Sequence, residues 1–292
     1  MTEKVGVGKA HSKIILMGEH SVVYGYPAIA LPLESIEVEC CIMPADDKIV
    51  FDFTDTLSTA IYAALDYLNQ TDVAISYDIK SEVPQRRGMG SSAAVSIAAI
   101  RAVFDYFGQE IDLDTLEILV NQAEIIAHTN PSGLDAKTCL SDEAIKFIRN
   151  VGFETIDLNL EAYLVIADTG IHGNTREAVD KVAAQEEANR PYLAQLGQLA
   201  EEVENQIKAK NIAKIGQAMT SAHAILQKIG VSAKEADHLV EVALNHGSLG
   251  AKMSGGGLGG CIIALVDQEP MAERLSQKLR EEGAVKTWIQ KL

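Results

Sequence analysis

The chain has 292 residues, enough to bury about three quarters of its unfolded surface in one large domain or two modest ones. With 47% hydrophobic and 23% charged residues it has the composition of an ordinary soluble globular protein. A formal net charge of −16 argues against nucleic acid or an anionic membrane as partner, so an anionic ligand has to be held locally, by a few cations and backbone N–H groups.

The opening MTEKVGVGKAHSK has no apolar signal core, and the longest apolar run is interrupted well short of a membrane span, so a cytoplasmic location is expected. Cys40, Cys41, Cys139 and Cys261 sit in apolar surroundings without metal-ligand spacing. Cys40 and Cys41 would point to opposite faces of a strand, and buried free thiols are the simpler account.

In chain order, KVGVGKA, KIILM, PAIALPL and IEVECCIM read as early strands punctuated by glycine and proline. KIILM runs straight into Gly-Glu-His. Singly, His20 reads as a packed histidine and Glu19 as surface. Together with Lys13, beside the apolar SVVYGYPAIA, they form the polar cluster that a small polar substrate pocket needs. A helix is expected over 56–68, and VAISYDI (73–79) alternates as a half-buried strand does.

The stretch PQRRGMGSSAA (84–94) then leads into AAVSIAAIRAVFDYF, nearly all apolar and long enough for a buried helix. Exposed N–H groups at a helix start make an anion site, and Gly88 and Gly90 let the backbone approach a phosphate closely. Ser91 as an ordinary helix cap is the plainer alternative. The match of Gly88, Gly90 and Ala93 to the dinucleotide fingerprint is weak, because the preceding IKSEVPQRR is polar and contains Pro84. No Walker A sequence occurs.

A further helix is expected over 114–128, with Glu124 and His128 four apart on one face. No second histidine lies near His128, which favours a structural role over metal binding. The helix stops at NPSG, and Asp135 follows: a carboxylate aimed by a stiff turn, or the cap of the next helical turn. Strands IKFIRN, ETIDL and AYLVIAD come next, then helical pieces from Thr175 to His246, with an acidic, solvated face over 181–205. KMSGGGLGGC (252–261) is a second glycine-rich loop, followed by strand GCIIALV, helix MAERLSQKLREE and strand VKTWI. The shift from strand-rich to helix-rich near residue 160 suggests two α+β lobes, 1–160 and 161–292.

KIILMGEHSVVYGYPA, PQRRGMGSSAA and KMSGGGLGGC resemble, in order and spacing, the three motifs of the GHMP kinases, and the resemblance covers essentially the whole chain. Met89 stands where that family usually has leucine, and His11-Ser12 replaces its usual Pro-Gly. The resemblance implies an α+β, two-lobed architecture: an N-terminal, ATP-phosphate-binding and catalytic lobe like ribosomal protein S5 domain 2, and a C-terminal ferredoxin-like lobe. GEHSVVYGYPAIA is most similar to the members acting on mevalonate, which implies transfer of phosphate from ATP to the primary 5-hydroxyl of (R)-mevalonate.

The resemblance also implies roles. Gly88, Met89, Gly90, Ser91, Ser92 and Ala93 would wrap the ATP phosphates, and Ser92, alone or with Ser91, would hold Mg²⁺ together with Glu124. Asp135 would accept or orient the hydroxyl proton, with Lys13 close by. Glu19, His20 and Tyr24 would help form the acceptor pocket, and Thr175 and Arg176 look like a further substrate-side element. A homodimer through the helix-rich half is left open. The alternatives are another GHMP acceptor (phosphomevalonate, homoserine or galactose) and a catalytically silent regulator, which should lack the metal and base residues. Arg86, Arg87 and Lys252 receive no role; adjacent arginines on a strand end cannot both face the same way.

Overall fold

The computed structural model describes residues 4–127 and 133–292, so His128 and the break at 130–132 lie outside the described residues. The chain forms two compact units, neither continuous in sequence. One comprises Met1–Lys13, Pro32–Gln85 and Gly90–Asp142; the other comprises Ile14–Leu31, Arg86–Met89 and Glu143–Leu292.

The expected early strands merge in pairs. KVGVGKA and KIILM lie in one strand, β1 (Gly6–Met17), and PAIALPL and IEVECCIM lie in another, β2 (Ala28–Pro44). Pro32 lies inside β2 and did not break it. The unit boundary cuts through both strands, between Lys13 and Ile14 and between Leu31 and Pro32.

In the first unit, α1 (Thr56–Tyr67) starts at Asp55, whose carboxylate accepts the Ser58 N–H. Strand β3 (Ile75–Ser81) pairs antiparallel with the second half of β2, Val38 opposite Ser81 and Pro44 opposite Ile75. Helix α2 (Ser91–Phe107) buries eleven residues, five of them alanines, a composition that favours helix and lets neighbours approach closely. Helix α3 (Leu113–Ala127) and α1 both pack on α2, and the short α4 (Leu134–Cys139) follows.

In the second unit, β4 (Ala144–Ile148) pairs with the first half of β2, Ala28 opposite Phe147, and forms a hairpin with β5 (Gly152–Ile156). Strand β6 (Tyr163–Asp168) is followed by α5 (Thr175–Ala183), α6 (Glu186–Lys208), α7 (Ile212–Lys228) and α8 (Lys234–Asn245). Then come β7 (Gly250–Ser254), β8 (Cys261–Val266), α9 (Glu269–Glu281) and β9 (Lys286–Lys291). The sheet order β7-β8-β6-β9 is antiparallel throughout, with helices inserted after β6 and after β8. That is the split βαβ arrangement of a ferredoxin-like layer, and the α+β expectation stands.

Strand β7 was not expected. Gly-Ala-Lys-Met-Ser carries no β-branched or aromatic residue, and pairing with β8, Gly250 opposite Leu265, is what holds it extended. Acidic α6 is not solvated all round: Leu193, Leu196, Ala200, Val203 and Ile207 form a buried stripe at helical spacing. Among the described residues no helix is long and apolar enough to cross a membrane.

Candidate active site

In the first unit, Gly90 precedes α2 in the left-handed region at φ +69°. A Cβ there would fall 2.8 Å from Lys13 Cγ and 3.1 Å from Cys139 Sγ, so glycine serves both the turn and the passage of the lysine stem. Lys13 is only 1% exposed, and its Nζ lies 2.7 Å from Oδ1 of Asp135, a side chain 37% exposed. The cation is thus enclosed while the carboxylate reaches solvent. Asp135 sits in the first turn of α4, where a negative charge is favoured.

Ser91, Ser92 and Ala93 form the first turn of α2, whose leading N–H groups lack intrahelical acceptors. The Ser92 hydroxyl donates to Glu124 Oε1 at 2.5 Å, and Glu124, on α3, is buried. A hydroxyl and a carboxylate side by side are hard oxygen donors of the kind Mg²⁺ takes alongside the phosphates of a nucleotide. Cys139 is inert here: burial pushes its thiol well above the ordinary range, helped by the Asp135 charge.

In the second unit, Glu19 and His20 form the turn after β1. Glu19 Oε1 pairs with the Lys252 ammonium, both side chains wholly buried, and that ammonium also donates to the Met253 carbonyl at 2.8 Å. Burial pulls the Lys252 pKa down, with Glu19 working the other way. His20 holds φ +60°, a conformation that histidine adopts only when its surroundings impose it. Its Nε2 lies 2.9 Å from the Gly256 carbonyl, which can only accept, so Nε2 carries the proton and Nδ1 is left as an acceptor. Burial lowers the imidazole pKa to about 4, so His20 is neutral at pH 7.

Thr175 closes on the same loop: a Cβ on Gly256 would lie 2.3 Å from its hydroxyl oxygen. The Asn174 N–H donates to the Gly257 carbonyl at 3.2 Å. His20 and Thr175 thus meet at Gly256; Thr175 and Arg176 are both exposed, on the first turn of α5. Tyr24 is half-buried, and burial, then the Glu186 charge, raises its phenol pKa.

Residues 86–89 are fixed within this unit by Arg87. Arg86 is exposed, while Arg87 is buried with its Nε 2.6 Å from Asp168 Oδ1 and Nη2 donating to the Gly170 carbonyl at 3.1 Å. The Arg86 carbonyl accepts the Gly173 N–H at 2.7 Å, and the Arg87 carbonyl accepts the Cys261 N–H at 3.2 Å. The Gly88–Met89 side of the 88–93 loop is therefore anchored by a buried ion pair. Arg87 with Asp168, and Lys252 with Glu19, are the buried ion pairs the sequence reading did not supply. The two arginines do face different ways, but not through strand alternation: β3 ends at Ser81, and Arg86 and Arg87 lie in a turn with Arg86 at φ +56°.

Comparison with known proteins gives a consistent answer. Residues 57–143 match the family description "GHMP kinases N terminal domain", and residues 199–285 match "GHMP kinases C terminal". The chain is 32% identical to the mevalonate kinase of Pyrococcus horikoshii, over 90% of this chain and 89% of that one. Among solved structures, the mevalonate kinase of Methanococcus jannaschii is 25% identical with a TM-score of 0.83, covering 98% of both chains. The L. major mevalonate kinase in complex with R-mevalonate superposes with a TM-score of 0.87 at 23% identity, over 99% of this chain and 98% of that one, a likeness of fold.

Proposed function

This chain belongs to the GHMP kinase family, and we propose that it transfers the γ-phosphate of ATP to the primary hydroxyl of (R)-mevalonate, giving 5-phosphomevalonate and ADP. The acceptor is inferred from the relatives named above. The chemistry rests on one observation, the enclosed Lys13 ammonium 2.7 Å from the solvent-reaching carboxylate of Asp135.

Phosphoryl transfer asks little covalent work of the protein, so catalysis is positioning and charge stabilisation. The acceptor oxygen bonds to the γ-phosphorus, the bond from phosphorus to the bridging oxygen of ADP breaks, and the hydroxyl proton passes to Asp135. Lys13 keeps the Asp135 carboxylate in place and offsets negative charge on the reacting oxygens. Residues 88–93 receive the phosphates on backbone N–H groups, without a Walker lysine. Ser92 and Glu124 would hold Mg²⁺, which when bound neutralises phosphate oxygens. Glu19, His20 and Tyr24 recognise the acceptor; Thr175 and Arg176, both exposed, contribute from the rim.

The family matches at 57–143 and 199–285 lie on either side of the expected boundary at 160, but the compact units do not divide there: Ile14–Leu31, Arg86–Met89 and the chain from Glu143 on belong to the second. The four free thiols support a reducing, cytoplasmic setting. The test is product identification: purified protein with Mg-ATP and (R)-mevalonate should form one phosphomevalonate per ADP by mass spectrometry. ADP without a phosphorylated acceptor, or no turnover, would reject the assignment.

A further inference from the structure

We propose that Lys252 is a positioning residue for the phosphate acceptor: it fixes and neutralises one oxygen of Glu19 so that the other is presented to a hydroxyl of the acceptor. The inference rests on the function proposed above and concerns a residue 233 positions from its partner in sequence.

Glu19 Oε1 is taken by the Lys252 ammonium, while Glu19 Oε2 is buried with no hydrogen-bond partner among the described residues. A carboxylate oxygen cut off from water and from every donor is unfavourable, and a ligand that brings a donor removes the penalty. With its charge balanced by Lys252, Glu19 suits a neutral hydroxyl. It offers nothing to a second anionic group such as a phosphate.

The backbone just after Lys252 is pinned at both polar groups of Met253. The Met253 carbonyl accepts from the same ammonium at 2.8 Å, and the Met253 N–H meets His223 Nδ1 at 3.3 Å. His223 therefore carries its proton on Nε2, which faces Asp237 Oδ1 at 3.2 Å, and Asp237 is held by the Ser232 hydroxyl at 2.5 Å. His223 is thus a neutral neighbour and places no second cation against Lys252. Stability alone does not account for a wholly enclosed ion pair, because replacing such pairs with apolar side chains is often neutral or stabilising. The unmatched Oε2 is the observation from which the acceptor contact is inferred.

The experiment is steady-state kinetics on the full chain, wild type against Lys252→Met, Glu19→Gln and the double variant. Each single change should raise KM for mevalonate about 10- to 100-fold while KM for ATP stays within about two-fold. The double variant should match the worse single variant, because Lys252 acts only through Glu19. A folded Lys252→Met with unchanged mevalonate KM, or with ATP KM raised equally, overturns the proposal. If Lys252→Met does not fold, the double variant, which removes both buried charges, is compared with Glu19→Gln. Equal KM values support the proposal, and a further ten-fold rise, about 1.4 kcal/mol, rejects it. A wild type that turns over no mevalonate rejects the proposed function and this inference together. An active wild type with indifferent variants rejects the inference alone.

Discussion

Lys13 and Lys252 are both almost completely buried, and each grips a carboxylate, yet the two pairs are built differently. Asp135, opposite Lys13, has a side chain 37% exposed; Glu19, opposite Lys252, has one that is 0% exposed. An enclosed cation beside an open carboxylate can exchange a proton with an incoming ligand. An enclosed cation beside an enclosed carboxylate can only hold it still. On the function proposed above, the same two functional groups would serve transfer in one unit and recognition in the other, with the accessibility of the acid separating the roles.

The largest effect that could break this contrast is on turnover. Asp135→Asn keeps the shape and removes the proton acceptor, so kcat should fall about 10²- to 10⁴-fold with the melting temperature nearly unchanged. Retention of kcat within a few-fold in steady-state ADP release would mean that the open pair is not the transfer site. Next in size is stability. Lys252→Met strands the buried Glu19 and should cost about 3–5 kcal/mol in urea unfolding. Lys13→Met leaves a carboxylate that water can reach and should cost nearer about 1–3 kcal/mol. Equal losses would erase the distinction between the pairs.

Acid should loosen the closed pair's surroundings. His20, next to Glu19, and His223, bonded beside Lys252, are each held at about pKa 4 by burial, against an ordinary 6.5. The unfolded chain takes up these protons below pH 6.5 and the folded chain only near pH 4. Their stability contribution is therefore full above pH 6.5 and falls as the pH drops toward 4. At pH 5 each histidine should withdraw about 2 kcal/mol. His20→Asn should lose correspondingly less between pH 7 and pH 5 than wild type, and an identical loss would contradict the buried, neutral imidazole. The smallest effect concerns the open pair's neighbours. Ser92→Ala should raise the Mg²⁺ concentration for half-maximal rate about ten-fold, and Ser91→Ala should shift it by no more than about two-fold.

Much of the local structure around the Lys13–Asp135 pair was legible in the sequence. A glycine-serine loop running into an apolar helix, and an acid just past a Pro-Ser-Gly break, are local patterns. The physical content of the first, helix-end N–H groups, does not need the fold, while Pro131 and Ser132 of the second lie outside the described residues. Strand β7 was hidden because its extended form is imposed by β8 and not by its own residues. The ion pairs were hidden for a different reason. A lysine or arginine in sequence announces a charge but not its burial, and the partners lie 233 residues away for Lys252 and 81 for Arg87. Only the isolation of Lys252 in GAKMSGGGLGG, a cation amid small and apolar residues, could have hinted that it needed an acid from elsewhere.

The most direct test of the account is kcat/KM for ADP release by the wild-type protein, with mevalonate, phosphomevalonate, homoserine and galactose offered separately under saturating Mg-ATP. The account predicts turnover of mevalonate, with the other three at least about 100-fold poorer. Preference for phosphomevalonate would contradict the charge-balanced Glu19 site, and silence with all four while ATP still binds would contradict catalysis itself.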